Sequence, residues 1–188
     1  VCGASPAYGA FWRMARTARP SLNIADGHSL RARVIRSSMT TNNKTSDYPL
    51  GHTTAEDERL AWQAERFDPL TEAFFREAGI GPGQRVLDLG SGAGHVAMIA
   101  SRLVGPAGAV VGVERDASSI ARAESRVAEA GLHNVTFTQS DVIDIPRSDV
   151  FDAAVGRFIL MFLPDPVRVV RSLSQLVRPG GVIAFQEV

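Results

Sequence analysis

The decapeptide VLDLGSGAGH, Val86 to His95, concentrates the clearest chemistry in the chain. An apolar run reaches Asp88 and passes into Gly90, Ser91, Gly92 and Gly94 before residues of helical spacing resume. Glycines at alternate positions let a backbone bend closely around a ligand where a Cβ would intrude, and the helix that follows offers N–H groups to an anion. The run from Gly92 to Ala97 also satisfies the G-x-G-x-x-A form of dinucleotide-binding turns, so the bend alone leaves two ligand classes open. Glu114 follows 26 positions after Asp88, at the end of AVVGVE, where a carboxylate can accept from both hydroxyls of a ribose. Asp116 suits the N-cap of the next helix. Asp141, in TQSDVIDIP, stands where a carboxylate can accept from an adenine amino group while the Val142 N–H donates to a ring nitrogen.

These residues need elements to carry them, and the periodicity supplies a repeating strand–helix rhythm. RVLDLG, AVVGVERD, NVTFTQSD, FDAAVGRFI and GVIAFQEV read as five short apolar strands. AGHVAMIASRLVG, ASSIARAESRVAEAG and DPVRVVRSLSQLVRPG read as helices between them. Buried strands linked by helices imply a doubly wound, mainly parallel α/β sheet covered on both faces. Ahead of the sheet, EDERLAWQAERFDPLTEAFFREAG spaces its apolar residues for one or two amphipathic helices, with Asp68-Pro69 expected to interrupt or kink them.

The ordered set DLGSGAG, GVERD, QSDVIDIP, FDAAVGRFILMFLPDP and LVRPGGVIAFQE resembles the small-molecule class I S-adenosylmethionine-dependent methyltransferases, including the ubiquinone/menaquinone-biosynthesis type, over roughly residues 47–188. The resemblance implies a Rossmann-like fold, S-adenosylmethionine (SAM) as methyl donor and a small-molecule acceptor. It implies donor contacts at Asp88, Gly90, Ser91, Gly92, Gly94, Glu114, Arg115, Asp141 and Val142, with Arg157 where donor meets acceptor. Tyr48, in DYPLGH, matches an aromatic that closes over the donor in related proteins, against the alternative of a loop anchor. No side chain is assigned as a catalytic base, because transfer from a sulfonium depends on in-line placement more than on proton transfer. Two alternatives stand beside this reading: a noncatalytic SAM-binding or interaction module, and an NAD(P)-binding oxidoreductase sharing the glycine bend and Glu114.

Composition bounds the rest. At 188 residues and 45% hydrophobic content the chain supports one core. The single Cys2 excludes an internal disulfide, which fits a reducing, cytoplasmic setting. His52, His95 and His133 stand singly without metal-ligand spacing and read as loop or surface residues, and no metal site is expected. The N–P–P–Y-type tetrapeptide and the Pro-Cys nucleophile of nucleic-acid base methylation are missing, which disfavours a nucleic-acid acceptor.

Three segments are expected: a basic, irregular leader over 1–46, a helical segment over 47–80, and the donor-binding core over 81–188. Residues 1–46 carry six Arg and one Lys against Asp26, while 47–188 hold 13 basic and 19 acidic residues. The leader reads as an organelle transit peptide, a nucleic-acid arm, or an upstream extension ahead of a start at Met39. Related folds continue past their fifth strand, so the sheet is expected to be truncated there, with an unpaired edge on GVIAFQEV.

Overall fold

The computed structural model describes residues 21–23, 29–36, 54–141, 144–145 and 150–187. In chain order these form β1 (Ser21–Asn23), β2 (Ser29–Arg36), α1 (Thr54–Ala78), β3 (Arg85–Leu89), α2 (His95–Val104), β4 (Ala109–Glu114), α3 (Ala117–Glu129), β5 (Val135–Gln139), β6 (Phe151–Arg157), α4 (Pro166–Leu176) and β7 (Val177–Glu187). One sheet holds all seven strands in the order β1-β2-β7-β6-β3-β4-β5, and every pairing is parallel except β1 with β2. The five expected strands, β3 to β7, are present, and helices cross between parallel neighbours as a doubly wound sheet requires.

Strand alternation divides the core into two layers. Val86, Val110, Ala153, Val155, Val182 and Ala184 pack on one face under Phe74 and Phe75 of α1 and Ile99 and Val104 of α2. Leu87, Leu89, Ala154, Ile183 and Phe185 pack on the other under Val169, Leu173 and Leu176 of α4. Asp88 lies between Leu87 and Leu89 and so projects with Val86 onto the face that α1 and α2 cover. That parity places a carboxylate inside the protein.

Two expectations need correction. The leader is not irregular throughout, since Ser29–Arg36 is a strand. Its run LRARV alternates apolar and basic residues with period two, a strand signal that the Arg-rich composition obscures. This strand pairs in parallel with β7 from Arg31↔Val182 to Arg36↔Glu187, so the edge of β7 is covered instead of unpaired. The segment before the sheet is one continuous helix with Pro69 inside it.

The RPGG sequence, Arg178 to Gly181, lies within β7. Phe151 pairs with Val177 but Ala153 pairs with Val182, so the extra residues between them are accommodated as a bulge with Gly180 at φ 78°. Asp152 anchors it, accepting from Arg178 Nε and from the Arg85 N–H at 2.7 Å.

Gly112 in β4 leaves room for the site. A Cβ there would fall 2.5 Å from Phe137 Cδ1 and 2.9 Å from Ser91 Cβ. Gly112→Ala is expected to cost about 1–3 kcal/mol of stability by overpacking. Urea unfolding measures it, and an unchanged midpoint would mean that Phe137 swings aside freely.

Candidate functional site

The glycine bend leaves β3 at Gly90, whose φ of 64° suits glycine, and ends at Gly94, the N-cap of α2, at φ 86°. Backbone bonds stiffen it: Gly94 N–H donates to Ser91 O at 2.9 Å, and Ser91 N–H reaches across to Val113 O of β4 at 3.0 Å. Glu114, at the end of β4, completes the tie. Its Oε2 accepts from Gly92 N–H at 2.9 Å, and its Oε1 accepts from Arg115 and Asp116 N–H at 2.8 and 3.1 Å. Asp116 caps α3 as expected, accepting from Ser118 and Ser119 N–H. Bonds from the hydroxyls and N–H groups of those two serines hold its carboxyl well below the ordinary carboxylate range.

Beneath the bend, Asp88 is 1% exposed and neither carboxylate oxygen has a hydrogen-bond partner among the described residues. The buried Ser91 hydroxyl is likewise unpartnered. Burial pushes the Asp88 carboxyl up to about 8, with the Arg157 charge and the Ala97 N–H, which lies outside normal hydrogen-bond geometry, opposing the rise and Glu114 adding to it. Buried polar atoms with nothing to bind are rare in folded chains and mark a place where something else is bound.

Arg157 ends β6 beside this carboxylate, but its guanidinium is held by α1. Nη1 donates to Asp68 Oδ1 at 2.8 Å and to Thr71 Oγ1 at 3.0 Å, and the side chain is 9% exposed. Thr71 also bonds Gln186 of β7 at 2.6 Å. Asp68 faces His95 as well, with Oδ2 at 3.9 Å from Nδ1. His95 Nε2 lies 2.6 Å from Arg126 Nη1 of α3. Arginine has only donors, so Nε2 accepts and the imidazole proton resides on Nδ1, toward Asp68. Burial and then the Arg126 charge lower the His95 pKa, keeping the ring neutral at pH 7. One polar chain therefore links α1, α2, α3, β6 and β7.

Of the residues expected to bind the donor, Asp88, Gly90, Ser91, Gly92, Gly94 and Glu114 gather at the adjacent ends of β3 and β4. Arg115 and Asp141 meet at the next strand end, Nη1 3.8 Å from Oδ2. Val142 and Tyr48 lie outside the described residues. His95, read from sequence as a lone surface residue, is the first residue of α2 and 23% exposed within the network. Asp68 and Thr71 had no sequence signal beyond their place on an amphipathic helix. Their partner Arg157 is 89 and 86 positions away.

Fold and site together define a doubly wound α/β domain with a glycine bend at its strand ends, and comparison with known proteins supplies its family. Residues 80–188 match the family described as "Methyltransferase domain", and the chain belongs to it. It is 34% identical over 112 residues to the arsenite methyltransferase of Halobacterium salinarum, covering 59% of this chain and 29% of that protein. It is 33% identical over 112 residues to the ubiquinone/menaquinone biosynthesis C-methyltransferase of Vibrio vulnificus, covering 58% and 43%. The crystal structure of a SAM-dependent methyltransferase from Aquifex aeolicus superposes with a TM-score of 0.61 at 27% identity, covering 71% of this chain and 72% of that one. The chain spans about a third to a half of the length of curated relatives it matches.

SAM fits these residues. The unpartnered Asp88 carboxylate suits an ammonium, the N-terminus of α2 suits a carboxylate, and Glu114 suits a ribose diol. No phosphate is needed anywhere in this set.

Proposed function

We propose that the chain is the donor-binding core of an enzyme that transfers a methyl group from SAM to a small-molecule acceptor. The observation that carries this reading is the buried, unpartnered Asp88 carboxylate beside a glycine bend tied to Glu114. When bound, the donor supplies a methyl carbon whose bond to a cationic sulfur breaks as the acceptor's lone pair attacks. Asp88 would hold the amino-acid half, Glu114 the ribose and Asp141 the adenine, which leaves the methyl over the ends of β3 and β6. The apolar loop after β6, Phe158 to Leu163, with Met161 and Phe162 exposed, follows on that side, and in this reading proximity and desolvation of the bound pair supply the rate.

Arsenite and quinone-type relatives support a small-molecule acceptor. A cytoplasmic setting belongs to the same proposal, resting on the single cysteine. Among the described residues no helix is long and apolar enough to cross a membrane.

Isothermal titration with SAM, followed by methyl release against a panel containing trivalent arsenic and hydroquinones, tests the reading. Micromolar binding with turnover of one panel member is expected. Binding without turnover across a broad panel would make the chain a noncatalytic module, and no binding would remove the donor assignment altogether.

A further inference from the structure

Beyond the donor contacts, one buried acid is unaccounted for. Glu187, the last described residue of β7, is 7% exposed and lies 73 positions beyond Glu114. Its Oε1 accepts from the N–H groups of Ile159 and Leu160, at 3.2 and 3.1 Å. Those residues follow Phe158, whose φ of 56° is a costly conformation for a bulky side chain. Phe158 N–H donates to Gln186 O at 2.9 Å, and its ring packs edge-on against Phe67 of α1 at 5.2 Å. Three successive N–H groups of the loop are thus satisfied by two successive residues of β7.

The strained turn has a consequence at the bend. Ile159 is carried onto Gly90, where a Cβ would meet Ile159 Cδ1 at 2.5 Å. Strand order converts this into a map of the pocket, because β6, β3, β4 and β5 are successive neighbours. Their ends carry Ile159, Asp88 with Gly90, Glu114 and Asp141 in that order, across three strand spacings or about 14 Å. The loop from β6 therefore borders the amino-acid end of the donor site, and the adenine end lies farthest from it.

We propose that Glu187 is a positioning residue that seats Ile159 against Gly90 and so shapes the amino-acid half of the donor site without touching the nucleoside half. This rests on the donor reading above. Without the carboxylate, two half-buried N–H groups lose their acceptor and only the Gln186 carbonyl and the Phe67 ring remain to hold Phe158 at positive φ, so Ile159 shifts away from the bend. Only Oε1 is used, so a glutamine presenting its amide oxygen can do the same work.

The test compares S-adenosylhomocysteine, which has both halves, with 5′-methylthioadenosine, which lacks the amino-acid half, by titration against the full chain. Glu187→Ala is expected to weaken the first about tenfold and the second less than twofold, with Glu187→Gln restoring both. Ile159→Ala should show the same split with the carboxylate intact, and it carries the test if Glu187→Ala does not fold. Equal loss for both ligands, or no loss for either, in a wild type that binds them would overturn the role of Glu187. Failure of the wild type to bind either ligand would instead overturn the donor reading on which it rests.

Discussion

Glu114→Ala should weaken S-adenosylhomocysteine binding by two orders of magnitude or more. The carboxylate has two tasks. It accepts from Gly92, Arg115 and Asp116 N–H, which fixes both its own orientation and the bend. It also presents its remaining acceptor capacity to the ribose. A carboxylate has about four lone-pair sites and three are filled by backbone, so a diol must share or displace the Gly92 N–H. Two charge-assisted hydrogen bonds are worth about 3–6 kcal/mol together, or roughly two to four decades of affinity.

Glu114→Gln should do little better. An amide NH2 set at Oε1 would face Arg115 and Asp116 N–H, and set at Oε2 would face Gly92 N–H, so one rotamer opposes two donors and the other opposes one. The contrast with Glu187, where glutamine is expected to suffice, follows from how many oxygens each carboxylate uses. Titration of both variants checks the pair, and a Glu114→Ala chain within tenfold of wild type would remove Glu114 from the site.

Most of the core was readable because its signals are local. The glycine bend, the cap at Asp116 and the five strands each declare themselves within about ten residues. The polar network is a different case. Arg157 reads as a candidate donor or acceptor contact from its place after the fourth core strand, yet its guanidinium lies on Asp68, a pairing set by how α1 crosses the sheet. His95 has no sequence neighbour that hints at Asp68 or Arg126, since both approach from other helices. Glu187 was missed because its partners are backbone N–H groups, which leave no trace in side-chain identity. The strand at Ser29–Arg36 was hidden for the opposite reason, a local period overruled by regional composition.

Asp88→Asn should stabilise the ligand-free chain while weakening donor binding, and pH separates the two effects. The carboxyl is pushed up to about 8 by burial, from an ordinary 3.8. Between those values the folded chain keeps a proton that the unfolded chain has lost, so stability falls as pH rises through this window, near tenfold in the folding equilibrium per unit. At pH 4 the penalty is absent, and at pH 7 it reaches on the order of 4 kcal/mol. Asparagine mimics the protonated acid and does not titrate. Wild type and variant should therefore unfold alike near pH 4 and diverge steadily above it, all other groups cancelling between the two profiles.

A bound ammonium reverses the balance, since an opposite charge beside Asp88 favours its ionised form. Donor binding at pH 7 is then expected to release close to one proton. Titration in buffers of different ionisation enthalpy reads this directly, and the Asp88→Asn heat should be independent of buffer. Parallel stability profiles for the two chains would show that Asp88 is ionised in the free protein. If release holds, the free site is destabilised by the same buried acid that the ligand relieves, so affinity at this bend is drawn from strain already present in the fold.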